Sequence, residues 1–194
     1  MGIGEAGRAL YEKIGLKPPA SILDLGAQAM SFEGYHKGMA RDWLERQGFD
    51  YACIDLDRWP GALHIDLNKA TASDMGGEQF DLVANHGTGE HVFDQANVFR
   101  FMHDVTKQGG YMVHIVPTPS FGMPHGFYFY DETIFKDLAE ANNYQIVDMH
   151  RQLDPWEIIV VAYKKLHDVA FAVPQQGIYT KSEDIKRERE RLTR

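Results

Sequence analysis

The sequence predicts a doubly wound α/β domain, and three observations carry that reading. Short apolar runs alternate with amphipathic stretches from about residue 20 onward. The first of these runs closes on a single glycine, Gly26. Near the carboxyl end two apolar runs stand side by side, the pattern of a β-hairpin that finishes a sheet.

The elements follow in order. Residues 5–14 predict a short helix with Ala6, Leu10 and Ile14 on one face, broken by Lys17-Pro18-Pro19. Ser21 to Leu25 reads as the first strand. Residues 34–47 read as a helix because Met39, Trp43, Leu44 and Gln47 recur at helical spacing, with Gly48 suited to its end. A second strand spans 49–56 and ends in Asp55-Leu56-Asp57, and a shorter third covers 63–68. Gly76-Gly77 precedes a fourth strand at 80–85. The next helix, 92–107, points Val92, Ala96, Phe99 and Met102 inward and stops at Gln108-Gly109-Gly110. Tyr111 to Val116 is a fifth strand, cut off by Pro117-Thr118-Pro119. Asp131 caps a helix whose apolar face is Ile134, Phe135 and Leu138. Strands at 145–149 and 157–163, on either side of a turn at Asp154-Pro155, complete a mainly parallel seven-stranded sheet with a C-terminal antiparallel β-hairpin. Right-handed crossovers then place helices on both faces. The chain divides into an N-terminal helical extension (1–19), one folded domain (20–166) and a C-terminal extension (167–194). The charged end, 181–194, reads as a solvated helix or frayed terminus.

Composition narrows the function classes. The chain is long enough to bury a core without disulfides or metals, and its 44% hydrophobic and 25% charged residues suit a soluble domain. Its net charge is -8, with no basic stripe interleaved with aromatics, which argues against nucleic acid or an anionic membrane as partner. Cys53 is the single cysteine, so no disulfide forms within the chain, and a reducing compartment is expected. The first residues lack a signal core and the myristoylation pattern, and no apolar run is long enough to span a bilayer. A cytoplasmic protein is the expectation.

Ligands of an open parallel sheet bind outside the carboxyl ends of the strands, where the strand order reverses. The first strand delivers Asp24-Leu25-Gly26-Ala27-Gln28 to that end, and the glycine permits positive φ and close approach of the backbone. The second delivers Asp55, placed to accept hydrogen bonds from both hydroxyls of a ribose, with Asp57 a competing acid two residues on. The third brings Asp66 and Asn68, able to read an adenine edge. The fourth brings Asn85-His86-Gly87-Thr88-Gly89-Glu90-His91. Within this last segment His86, Glu90 and His91 admit three readings: a substrate pocket with one histidine as general base, a metal site, or a helix start. Their spacing is not a strong metal signature, so pocket lining is favoured and no metal is expected. His91 is the better base, because the following helix fixes it while Gly87 and Gly89 loosen the chain around His86. His114, inside an apolar strand, reads as a core histidine, and Met30, Met39, Met102 and Trp43 as core filler. The long segment 117–130 reads equally as a binding loop offering His125, Tyr128 and Tyr130 or as a surface loop pinned by Phe121 and Phe127.

Taken together, Ile22-Leu23-Asp24-Leu25-Gly26, Tyr51-Ala52-Cys53-Ile54-Asp55, Phe80-Asp81-Leu82-Val83 with Glu90-His91-Val92, and Gln108-Gly109-Gly110 resemble the Rossmann-like class I S-adenosylmethionine-dependent methyltransferases. The resemblance covers about residues 20–164, closing hairpin included. Within that superfamily, His125-Gly126-Phe127-Tyr128 is similar to a little-described group, some of them associated with sugar or polysaccharide modification. The resemblance implies S-adenosylmethionine as cofactor and methylation of a hydroxyl or amine on a small or carbohydrate-like acceptor. It places Asp24, Gly26, Ala27 and Gln28 in the methionine-side loop, Asp55 and Leu56 at the ribose, Asp66 and Leu67 at the adenine, and Asn85 at the methyl-bearing end. One departure stands out: Ala27-Gln28-Ala29 occupies positions where the family has further glycines. That departure supports the main rival, a non-catalytic binding or regulatory module of the same fold. A nicotinamide-dependent oxidoreductase or epimerase is disfavoured, because Gly26-Ala27-Gln28-Ala29-Met30-Ser31 lacks the second and third glycines of its fingerprint.

Overall fold

The computed structural model describes residues 2–32, 35–153 and 156–175. The expectations for the turn at Asp154-Pro155 and for the end at 181–194 fall outside the described residues. Helix α1, Glu5–Ile14, ends where Gly15 turns left-handed. Strand β1 (Ser21–Leu25) follows, then a hairpin of β2 (Ala29–Phe32) and β3 (Tyr35–Met39), and helix α2 (Ala40–Arg46). Strands β4 (Asp50–Asp55), β5 (Leu63–His64) and β6 (Phe80–His86) lead to helix α3 (Gln95–Val105) and strand β7 (Thr106–Pro117). Helix α4 (Glu132–Asn142) precedes the closing strands β8 (Tyr144–Leu153) and β9 (Glu157–Lys165).

Seven strands form one sheet in the order β5-β4-β1-β6-β7-β9-β8. β5, β4, β1, β6 and β7 run parallel, whereas β9 is antiparallel to both β7 and β8. This is the predicted sheet with its predicted closing hairpin. The chain leaves β1 toward β4 on one side and returns to β6 on the other, so the switch point lies between β1 and β6.

Alternation along the strands feeds two cores. Leu23 and Leu25 of β1 join Val98, Phe99 and Met102 of α3 and Phe135 and Leu138 of α4 on one face. Ile22 joins Leu10, Tyr11 and Ile14 of α1 and Leu44 of α2 on the other. Met30 and Met102 are buried, and Trp43 is partly buried against the second core, as expected of filler.

Some boundaries differ from the sequence expectation. The helix read over 34–47 begins only at Ala40, because Tyr35–Met39 pairs antiparallel with Ala29–Phe32. Ala40 N–H donates to Gln28 O at 2.9 Å, closing the hairpin back to the end of the first loop. The third strand keeps only Leu63–His64, since the carbonyls of Leu67 and Ala70 turn to the Asn97 side-chain amide on α3. Helix α3 starts at Gln95, where Asp94 accepts from Asn97 N–H. β7 begins already at Thr106, with a register shift between Phe80 and Leu82 opposite it. No helix among the described residues is long and apolar enough to cross a membrane.

Candidate active site

The carboxyl ends of β1, β4, β5 and β6 surround a crevice of about 360 Å³. Gly26, Ala27 and Gln28 form one wall, Asp55, Leu56 and Asp57 a second, and Asp66, Leu67 and Asn68 a third. Thr88, His91 and Val92 close the side that follows β6. The turn after β1 is built around Gly26, whose φ of +89° is left-handed. A Cβ there would stand 2.4 Å from Thr88 Oγ1, so only glycine fits on both counts. Thr88 Oγ1 donates to Leu25 O at 2.6 Å, and Gln28 Nε2 donates to Leu25 O at 3.0 Å and to Thr88 Oγ1 at 3.1 Å. The unusual Gln28 is therefore a brace: buried at 4% exposure, it ties the first loop to the loop after β6 and leaves the crevice open. Thr88 escaped the sequence reading because its partner lies 63 residues earlier in the chain.

Asp55 faces this turn. Its Oδ2 accepts from Ala27 N–H at 2.8 Å and its Oδ1 from Asp57 N–H at 2.8 Å, which holds a part-buried carboxylate at the crevice wall with free lone pairs. Asp66 accepts from the Asn68 N–H and side-chain amide, and these bonds hold its carboxyl below the usual range. Asn68 Oδ1 in turn accepts from Asp94 N–H, fixing the third wall to the start of α3.

Other residues singled out from sequence lie behind the crevice. Asp24 is fully buried on the α1 face of the sheet, where Tyr51 OH donates to its Oδ2 at 2.8 Å while Oδ1 has no hydrogen-bond donor. Burial pushes its pKa up to about 7, against the lowering effect of the Tyr51 bond. His86 is buried beside it, its Nε2 2.8 Å from Tyr11 OH and 3.9 Å from Asp24 Oδ1. Burial holds His86 down at about 3. Asn85 is buried too, and its Oδ1 accepts from Thr88 and Gly89 N–H at 3.1 and 2.9 Å, shaping the turn. His114 packs in the core as predicted, among Phe99, Phe135 and Tyr163.

At the mouth of the crevice the 3-10 turn Gly89–His91 meets the loop after β7. Phe127 and Tyr128 N–H both donate to Glu90 O, at 2.7 and 3.3 Å, and Gly126 at φ +67° permits that approach. The docking brings His125 Nε2 to 3.2 Å from His91 Nε2 and 3.4 Å from Glu90 Oε1. Glu90 is 0% exposed with neither carboxylate oxygen hydrogen-bonded, and burial pushes its pKa up to about 7. Burial also lowers His91 and His125. Tyr128 and Tyr130 spend their hydroxyls on Phe93 O and Gln95 Oε1, so neither reaches the crevice. Beside the docked loop the exposed rings of Phe93 and Phe127 pack edge-to-face with centroids 5.8 Å apart.

The crevice meets the demands of an adenosyl ligand: an open volume, a backbone turn without a Cβ, and a carboxylate aimed across from it. A family described as "Methyltransferase domain" matches residues 5–167. No curated protein matches the chain in sequence. The 1,6-didemethyltoxoflavin-N1-methyltransferase of Burkholderia thailandensis, solved with S-adenosylhomocysteine, is similar over 84% of this chain and 77% of its own, at 19% identity and TM-score 0.61. The N-methyltransferase NodS of Bradyrhizobium japonicum is similar over 84% and 94%, at 17% identity and TM-score 0.58. A SAM-dependent methyltransferase from Aquifex aeolicus is similar over 83% and 89%, at 15% identity and TM-score 0.60. With the family matched along most of its length and the crevice where that fold places it, the chain belongs to the methyltransferase domain family, among the class I S-adenosylmethionine-dependent enzymes.

Proposed function

We propose that the protein transfers a methyl group from S-adenosylmethionine to an oxygen or nitrogen of a small or carbohydrate-like molecule. The observation that carries the reading is the shared crevice of the Gly26–Gln28 turn and the Asp55 carboxylate. When bound, the cofactor supplies an electrophilic methyl on a sulfonium. The chain's part is to hold the reactants in line, which alone lowers such a barrier substantially. Asp55 accepts from the ribose hydroxyls beside Leu56, and the backbone of Gly26, Ala27 and Gln28 lines the methionine side. Asp66 and Leu67 meet the adenine. Asp24 and Asn85 support these walls from beneath, through Tyr51 and the turn at Thr88.

The acceptor enters past His125 and the rings of Phe93 and Phe127. His91 is the group placed to take a proton from an acceptor hydroxyl, because it alone of the three candidates lines the crevice. Glu90 stands behind it, and His86 is occupied by Tyr11. Tyr128 and Tyr130 shape the entrance through the loop they anchor.

Calorimetric titration with S-adenosylmethionine and S-adenosylhomocysteine tests the reading first. Transfer of isotope-labelled methyl to a panel of small alcohols, amines and saccharides tests it next. Failure to bind either compound would leave the braced Gln28 loop as the mark of a non-catalytic module.

A further inference from the structure

The mouth of the crevice holds a group of side chains of which the methyl-transfer reading gives a chemical role to His91 alone. Glu90, His91 and His125 each offer one ligand atom, and the three atoms lie within 4.8 Å of one another. Two distances are telling. His91 Nε2 and His125 Nε2 are 3.2 Å apart, and His125 Nε2 and Glu90 Oε1 are 3.4 Å apart. Two ligands on a tetrahedral ion with bonds of about 2.0–2.1 Å are separated by about 3.3 Å. Hydrogen bonding satisfies the cluster less well. One hydrogen shared between the two imidazoles leaves both oxygens of a fully buried Glu90 without a hydrogen-bond donor, and burying a polar group without one is costly.

The backbone has been shaped for this meeting. The Phe127 and Tyr128 N–H groups clamp the Glu90 carbonyl, Gly126 supplies the left-handed turn, and a Cβ at Gly126 would stand 2.6 Å from that carbonyl oxygen. Buried Phe121 packs its ring 5.2 Å from that of His125.

We propose that Glu90, His91 and His125 bind a divalent transition-metal ion of the zinc class. Two imidazoles and one carboxylate form a donor set that such ions accept with a position left open. Of the three residues His91 lines the crevice, so an ion held there would lie within reach of an oxygen or nitrogen of the acceptor. The ion then takes the His91 lone pair and replaces it as the group that meets the acceptor. This last role rests on the methyl-transfer reading; the metal site does not.

The test uses the tag-free 194-residue chain, stripped with chelator. Zn²⁺ is titrated by calorimetry against the wild type, Glu90→Gln and His125→Asn, and Co²⁺ is added to the wild type as a spectroscopic probe. One equivalent of Zn²⁺ should bind the wild type. Each variant should lose more than the roughly 10–100-fold that removal of a merely supporting group costs, and Co²⁺ should give the intense visible bands of a low-coordinate site. Equal Zn²⁺ affinity in all three proteins, or only the pale spectrum of hydrated Co²⁺, overturns the proposal. S-adenosylhomocysteine is titrated in parallel as a separate readout. Its binding without zinc binding removes the metal site alone, and zinc binding without it removes the methyl-transfer reading alone.

Discussion

From the turn after β1, Ala27 gives its backbone N–H to Oδ2 of Asp55, the last residue of the neighbouring strand β4, at 2.8 Å. The bond joins the ends of two parallel strands whose residues are 28 apart, and it aims a carboxylate along the wall of the crevice instead of into solvent.

Asp55→Ala should therefore remove cofactor binding while the protein stays folded. Hydrogen bonds to a charged group contribute about 1.5–3 kcal/mol each, so losing two to a ribose should weaken S-adenosylhomocysteine at least about 100-fold. Asp55→Asn keeps an oxygen for Ala27 and should fall between. Calorimetry with a circular-dichroism control measures both, and an unchanged affinity for the alanine variant would sink the ribose assignment.

Gly26→Ala places a side chain at φ +89° and within 2.4 Å of Thr88 Oγ1. Backbone strain of this kind costs about 1–3 kcal/mol, and the contact adds to it. Thr88→Ala in the same protein removes the contact but not the strain. The double variant should be more stable than the sum of the single effects, read from urea unfolding, whereas strict additivity would mean that Thr88 moves aside freely.

Asp24 makes stability depend on pH. Its folded pKa of about 7 lies above that of the unfolded chain, about 4. The folded state thus holds the proton more tightly between those values, and stability drawn from this group falls as pH rises through the window. His86 acts in the opposite sense: held at about 3 by burial, it adds stability as pH rises toward the unfolded value of about 6.5. The informative quantity is therefore the difference between Asp24→Asn and wild type. It should move in favour of the variant by up to about 1.4 kcal/mol per pH unit between about pH 4 and 7, and be flat below. Denaturant melts at stepped pH provide the curve, and a flat difference throughout would show that Asp24 titrates as an exposed acid.

Lys165, 1% exposed, donates to His103 O and Thr106 O at 2.9 Å each and to Asp168 at 3.0 Å. Its ammonium satisfies carbonyls at the end of α3, where a cation is also favoured by the helix dipole. Lys165→Met retains the apolar stem but takes this donor from both carbonyls; His103 O keeps the Thr106 N–H, and a buried acceptor left without a donor costs about 1–3 kcal/mol. A clear drop in Tm is expected, with S-adenosylhomocysteine affinity unchanged at temperatures where the variant is folded.

Much of the fold was legible because burial writes itself as pattern. Ser21–Leu25 coincides with its apolar run, and Glu5–Ile14 with its 3.6-residue stripe. Asp131 caps α4 as its residue type foretold, accepting from Thr133 N–H. The β2–β3 hairpin was hidden, because Met39, Trp43 and Leu44 mimic helical spacing across a boundary. What decides against helix there is a backbone partner, Ala29–Phe32, and pairing between strands leaves no local signature.

By itself the sequence determined the layered architecture, the strands that end in Gly26 and Asp55, and the family they resemble, since these depend on local periodicity and on residue types at strand ends. Only the tertiary structure decided that Gln28 braces instead of blocking, that Asp24, Asn85 and His86 lie behind the crevice, and that His125 comes to His91 from 34 residues away. Such meetings depend on which face a side chain takes and on where a distant loop docks. Both are set by packing and by hydrogen bonds between segments far apart in the chain.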